Sequence, residues 1–242
     1  MRNIEWREYR GPDVLVRDLA DRICDLLATG IRERGAAGFA VSGGSTPVPL
    51  FVELSRRQLE WERVVVTLVD ERWVEPSHPD SNERLIRTHL LREQAARARL
   101  VGMKTGHDDA RAGEAACEER LRQVPRPFAA LVLGMGNDGH TASLFPGAAR
   151  LAEATAMDSG RLCMALVPPR APHARMTLTL PAILDCRQIF LFITGREKRR
   201  VYEQALAGGP PEEMPIRFIL GQERTPVMVC WAAAADEGPG GG

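Results

Sequence analysis

FAALVLGMGNDGHTASLFPG, residues 128–147, runs from six apolar residues straight into a loop that holds four glycines, Asp138 and His140. An apolar run of this kind suits a strand buried on both faces, and the glycines mark a turn at its end. Gly and Asn alone would suffice for turning. A carboxylate and an imidazole two residues apart, at the mouth of a buried strand, point instead to something held or changed there.

The same order, apolar strand then glycine or polar loop then helix, appears on either side of it. GFAVSGG (38–44) is a short buried strand entering a glycine turn, and Pro47 suits the first turn of a helix over residues 47–58, because a helix start leaves its N–H unpaired anyway. VVVTLV (64–69) is a β-branched run with DERW at its C-terminal end; beyond a proline-rich loop, SNERLIRTHLL predicts a helix capped by Ser81. Upstream, Leu15, Leu19, Ile23, Leu26, Leu27 and Ile31 recur at three- and four-residue steps, which predicts an amphipathic helix from Asp13 to Glu33 ending near Gly35. Downstream, ARAGEAACEERLRQV and Arg196–Leu206 read as helices, and LCMALV, RMTLTL, QIFLFITG and PVMVCWAAA as strands. Continuous apolar strands separated by helices imply an α/β fold with a parallel sheet covered on both faces.

Length and composition agree. A chain of 242 residues can bury a substantial core without disulfides or metals. No internal repeat or linker divides it, so one domain over residues 1–236 is expected, followed by a disordered Gly/Pro tail at 237–242. Thirty-two basic and 32 acidic residues balance to a formal net charge of +0, which removes any general attraction to nucleic acid or anionic lipid; an anion bound here is bound locally. The five cysteines are widely spaced without a CxxC pair, as for buried thiols in a reducing compartment. The N-terminal MRNIEWREYRG has no signal-peptide core and no segment has the length of a membrane span. A soluble cytoplasmic protein is expected.

In open parallel sheets, ligands bind where loops leave the C-terminal ends of strands. Three such loops are unusual here: SGGSTP (42–47), DERWVEPSHPDSN (70–82) and GMGNDGHTASLFPG (134–147). SGGSTP sets Ser42, Gly43, Gly44, Ser45 and Thr46 before a helix start, where free backbone N–H groups and the helix dipole favour a phosphate; the alternative is a tight turn with Thr46 as N-cap. It is neither a nucleotide-triphosphate loop nor a GxSxG nucleophile elbow. Gly134, Gly136 and Gly139 match GxGxxG, yet a dinucleotide fingerprint belongs in the first βαβ unit with an acid ending the next strand, and neither condition holds. His140 brings an imidazole, the side chain suited to general-base work near neutrality, with Asp138 placed to steer its ring. The alternatives are a solvent-facing histidine in an Asp-turn, or half of a metal site completed by His78 and Asp80, for which no HExxH or Cys/His cluster exists.

Taken together, SGGSTP, VDERWVEPSHPDSN and LGMGNDGHTASLFPG resemble the 6-phosphogluconolactonase family, within the larger group that includes glucosamine-6-phosphate isomerase/deaminase. PHARMTLTLPAIL, with Arg175, and FLFITGREKRRVYEQAL, with Lys198, continue the likeness. Arg199 departs from it, standing where members often have a small residue. The resemblance implies a Rossmann-like three-layer αβα core with a mostly parallel sheet plus a smaller β-rich portion. It also implies hydrolysis of 6-phosphoglucono-1,5-lactone without metal or organic cofactor, on a small-molecule substrate, by a monomer or weak homo-oligomer with no nucleic-acid or membrane partner. His140 is then the base and Asp138 its orienting acid. Ser42 to Thr46, Arg175 and Lys198 hold the phosphate, with Asp70, Asn137 and Gly139 also among the substrate-binding residues; Arg72 serves the phosphate or the oxyanion. Asp70 and Glu71 stay open between a direct role and mere neutralisation of Arg72. The runner-up is the deaminase activity, against which stand Phe145, where the deaminase loop has a glutamate, and Arg72, where deaminases carry an aromatic residue. A non-catalytic sugar-phosphate sensor would need an output module that the sequence lacks.

Overall fold

The computed structural model describes residues 3–234. In chain order the elements are β1 (Ile4–Tyr9), α1 (Pro12–Arg34), β2 (Ala37–Val41), α2 (Val48–Ser55), β3 (Val64–Leu68), β4 (Asp70–Arg72), α3 (Asn82–His89), β5 (Arg99–Val101) and α4 (Glu114–Leu121). Then follow β6 (Ala130–Leu133), α5 (Leu151–Thr155), β7 (Cys163–Leu166), β8 (Arg175–Leu178), α6 (Leu180–Leu184), β9 (Ile189–Thr194), α7 (Gly195–Leu206), α8 (Ile216–Leu220) and β10 (Val227–Ala232). Seven strands form a parallel sheet in the order β1-β10-β9-β6-β2-β3-β5, flanked by helices. A smaller antiparallel sheet holds β4-β8-β7.

The central strands are continuous apolar runs because every residue of β2, β3 and β6 is buried. Helix α1 lays the stripe Leu15, Leu19, Ile23, Leu27 and Ile31 on the sheet and stops at Gly35, whose φ of 79° lets its N–H reach back to the Ile31 carbonyl at 2.8 Å. Full burial of side chains such as these stabilises by roughly 1.5–3 kcal/mol each.

From β2 the chain moves outward through β3 to β5, then returns to place β6 on the other side of β2. That reversal opens a crevice between the loops leaving β2 and β6, the position at which doubly wound sheets bind ligands. The two loops are stitched together: Ser42 donates from its backbone N–H and its hydroxyl to the Val132 carbonyl, at 3.0 and 3.1 Å, and its Oγ accepts the Gly134 N–H at 3.3 Å.

Two expectations differ from the structure, and one strand had no counterpart among them. The charged N-terminus contains a strand, β1, which pairs with β10 at the sheet edge. RMTLTL ends as a strand at Leu178, and the LPAIL that follows is α6, with Pro181 in its first turn where no N–H is required. DERW does not merely terminate β3: Asp70–Arg72 leave the main sheet and pair with β8, opposing Arg72 to Arg175. The Gly/Pro tail expected at 237–242 lies outside the described residues.

Candidate active site

The crevice at the β2/β6 reversal is a cavity of 380 Å³ lined by Ser42–Pro47, Asp70, Arg72, Asn82, Val132–Gly136, His140–Ala142, Phe192–Thr194 and Lys198. Of the residues singled out in the sequence, Ser42, Gly43, Gly44, Ser45, Thr46, Asp70, Arg72, His140 and Lys198 are therefore brought to one wall system. Asp138, Asn137, Gly139 and Arg175 are not on that wall, and each has another place.

Asp138 lies behind His140. Its Oδ1 is 2.6 Å from the imidazole Nδ1 and also accepts the His140 backbone N–H at 3.0 Å. These bonds, the ring contact foremost, hold the Asp138 carboxyl down at about 2. An ionised carboxylate can only accept, so Nδ1 is the protonated nitrogen and the lone pair resides on Nε2, which makes no hydrogen bond among the described residues. Phe145 packs on the imidazole with ring centroids 4.3 Å apart. Gly136 makes this arrangement possible: a Cβ there would come within 2.1 Å of Nδ1.

Asn137 bridges to α7. Its amide donates to Glu197 Oε1 at 2.8 Å and its oxygen accepts from Lys198 Nζ, which aims the ammonium along the cavity. Partial burial lowers the Lys198 pKa. Gly139, with φ 77°, shapes the turn against Met214.

The loop before α2 keeps its donors. Pro47, not Thr46, is the N-cap, and no side chain caps the helix. The hydroxyls of Ser45 and Thr46 make no hydrogen bond among the described residues, whereas that of Ser42 is committed to the β2–β6 stitch. Asp70 is buried and accepts from Ser143 Oγ at 2.5 Å. Arg72 donates to the Asp80 carbonyl at 2.6 Å. Neither Asp70 nor Glu71 pairs with the Arg72 guanidinium among the described residues, although the charge of both reaches the neighbouring Arg175 and opposes the lowering of its pKa by burial. Arg175 stands opposite Arg72 in register, buried, with Nη1 lacking any partner; burial first, then the Arg72 charge, lowers its pKa.

His78 and Asp80 turn to His173 rather than to His140: Asp80 Oδ2 is 3.1 Å from His173 Nε2. Among the described residues no group of three His, Cys, Asp or Glu side chains is placed to hold a metal ion. Nor does the GxGxxG match open a helix; the next one begins only at Leu151. Sequence reasoning missed Asn82 and Thr141, and took Gly136 only as part of the GxGxxG match. Asn82 sits one residue beyond the expected cap Ser81, and its link to the site, a 2.9 Å bond from Nδ2 to the Asp70 carbonyl, is a contact twelve residues back along the chain.

A glycine- and hydroxyl-rich loop and a carboxylate-oriented histidine thus stand together at the reversal point of a parallel sheet. The family model describing glucosamine-6-phosphate isomerases/6-phosphogluconolactonase matches residues 10–229, and the chain belongs to that family. The 6-phosphogluconolactonase of Rhizobium meliloti (strain 1021) is 42% identical over 224 residues, covering 93% of this chain and 97% of its own. The crystal structure of a 6-phosphogluconolactonase from Shewanella baltica OS155 matches with a TM-score of 0.93 at 45% identity, covering 95% of this chain and 98% of that one. A monomeric glucosamine-6-phosphate deaminase shares the fold, with a TM-score of 0.76 at 18% identity over 95% of this chain and 97% of its own.

Proposed function

We propose that this chain hydrolyses 6-phosphoglucono-1,5-lactone to 6-phosphogluconate, with His140 as the general base. The observation that carries the mechanism is the 2.6 Å contact of Nδ1 with Asp138 Oδ1: a carboxylate only accepts, so Nδ1 donates and Nε2, on a ring that lines the cavity, is the basic atom. A lactone carbonyl is already electrophilic, and a positioned base contributes typically about 10²–10⁴ in rate. Water loses its proton to Nε2 as its oxygen bonds to C1. When the tetrahedral intermediate collapses, the C1–ring-oxygen bond breaks and the imidazolium returns the proton to that oxygen, while Asp138 stabilises the transient charge.

The N–H groups of Gly43–Thr46 and the free hydroxyls of Ser45 and Thr46, with Lys198, bind the C6 phosphate and fix the carbonyl over the base. Arg72 adds a cation to the phosphate or to the oxyanion, and Arg175 a second charge behind it. Asp70 borders the same space. Phe145 supports this reading over deamination, since a phenyl ring packed on the imidazole offers no proton relay. The five unpaired thiols favour a reducing compartment, and no helix of the described residues is long and apolar enough to cross a membrane; we place the enzyme in the cytoplasm as a monomer or weak homo-oligomer.

The test is an assay on freshly generated lactone, corrected for spontaneous opening, beside one on glucosamine 6-phosphate. His140→Ala should lose at least ~100-fold in kcat while still binding 6-phosphogluconate. Near-normal turnover removes the histidine from the mechanism, and ammonia release from the amino sugar replaces the lactonase reading with the deaminase one.

A further inference from the structure

Glu71 is wholly buried, yet no step proposed above uses it. Its Oε1 accepts the backbone N–H of Arg72 at 2.8 Å and of Asn82 at 2.7 Å; its Oε2 accepts the Glu83 N–H at 2.7 Å and the Ser81 hydroxyl at 3.0 Å. Asn82 and Glu83 open α3, and the first amides of a helix have no partner within it. A strand residue thus supplies acceptors to a helix start eleven and twelve positions further along the chain.

Three cavity residues depend on this junction. Asp70 and Arg72 flank Glu71 in β4, where alternation sends their side chains to the opposite face from its own. Asn82 donates to the Asp70 carbonyl at 2.9 Å, and its carboxamide lies so close to the phosphate loop that a Cβ on Gly43 would come within 1.9 Å of its Oδ1. The chemistry demands a carboxylate: each oxygen faces two donors, so an amide would turn its NH₂ toward groups that also donate, and a shorter acid would not span them.

We propose that Glu71 is a positioning residue: by clamping the start of α3 to β4 it fixes Asp70, Arg72 and Asn82 along the substrate wall without touching substrate. This rests on reading the cavity as the lactone site. A displacement of about 1 Å in such a wall can cost ~10²-fold. Glu71→Gln should therefore lower kcat/KM by about that factor and raise KM several-fold, measured at a temperature where circular dichroism shows the variant folded. A purely structural role would reduce only the amount of active enzyme and leave KM at the wild-type value, which overturns the proposal. In the Asn82→Ala background the same substitution should cost no more than ~5-fold, because both changes act on one junction; independent, multiplying effects also overturn it. Should Glu71→Gln fail to fold, Ser81→Ala and Asn82→Ala carry the test, each with an expected rise in KM, and wild-type KM in both refutes. Arg72→Ala separates the two layers. Unchanged kcat/KM there sinks the reading of the cavity itself, whereas a loss in Arg72→Ala with none in Glu71→Gln sinks only the role of Glu71.

Discussion

Replacing Asp138 by Asn keeps the size of the side chain and removes its charge. The amide would keep its oxygen toward His140, because the same Oδ1 also receives the backbone N–H of His140 at 3.0 Å, and an NH₂ there would meet a donor. The productive tautomer therefore survives, and what is lost is the attraction between carboxylate and imidazolium as the ring takes its proton. The contact is 2.6 Å, with side chains 30% and 52% exposed for His140 and Asp138. A unit-charge pair at about 4 Å is worth roughly 1 kcal/mol in water and roughly 4 near a protein surface. With half of Asp138 in solvent the lower part of that range applies, so about 1–2 kcal/mol of transition-state stabilisation disappears, or about 5–30-fold in kcat. KM should hold, since Asp138 is not on the cavity wall. The measurement is steady-state lactone hydrolysis with the spontaneous rate subtracted. A kcat within twofold of wild type would show that the carboxylate is idle. A loss of about 10⁴, the size seen when the same substitution traps the wrong tautomer in a Ser-His-Asp triad, would show that the amide had flipped and would refute the argument from the backbone N–H.

Gly136→Ala should fold normally and lose about 100-fold in kcat, because the new methyl displaces both the ring and Asp138 Oδ1, 2.1 and 2.7 Å from an ideal Cβ; activity within threefold of wild type would contradict it. Lys198→Ala should raise KM for the lactone by about 10–100-fold, the loss of one charge-assisted hydrogen bond to phosphate, with titration of inorganic phosphate as inhibitor showing the same weakening. Burial pushes the Glu71 carboxyl up to about 7 while its four donors hold it down, so the carboxylate that the junction uses gives way to the neutral acid as the pH falls through about 7. The ratio of wild-type to Glu71→Gln kcat/KM should accordingly shrink between pH 8 and pH 5; a constant ratio would rule this out.

The continuous apolar runs of β2, β3 and β6 were legible because burial on both faces leaves no other composition, and the loops after them were legible because glycine, hydroxyl and ionisable residues at a strand end serve few structural purposes. β1 was not. Its IEWREY carries three charges and is only half-buried as an edge strand, so it reads like surface chain until Trp6 is seen stacked on Tyr202 at 4.8 Å and on Trp231 at 6.0 Å. Arg199, the departure from the family pattern, lies over that same cluster, 5.0 Å from the Trp231 ring. Within the site, the residues that touch the cavity were visible as types, but the ones that hold them were not: the links of Glu71 to Asn82 and of Asn82 to Asp70 join positions whose nearness only the departure of β4 from the main sheet creates.

The pairing of β1 with β10 also has a temporal side. Among the described residues β1 has β10 as its one sheet neighbour, at Val227–Ala232, so at ~5–20 residues per second it waits roughly 10–40 s for that partner to be synthesised. Glu5, Arg7 and Glu8 place charge along that edge, the kind of composition that discourages an unmatched strand from pairing with another chain, so the charges that hid β1 as a strand also suit it to the wait.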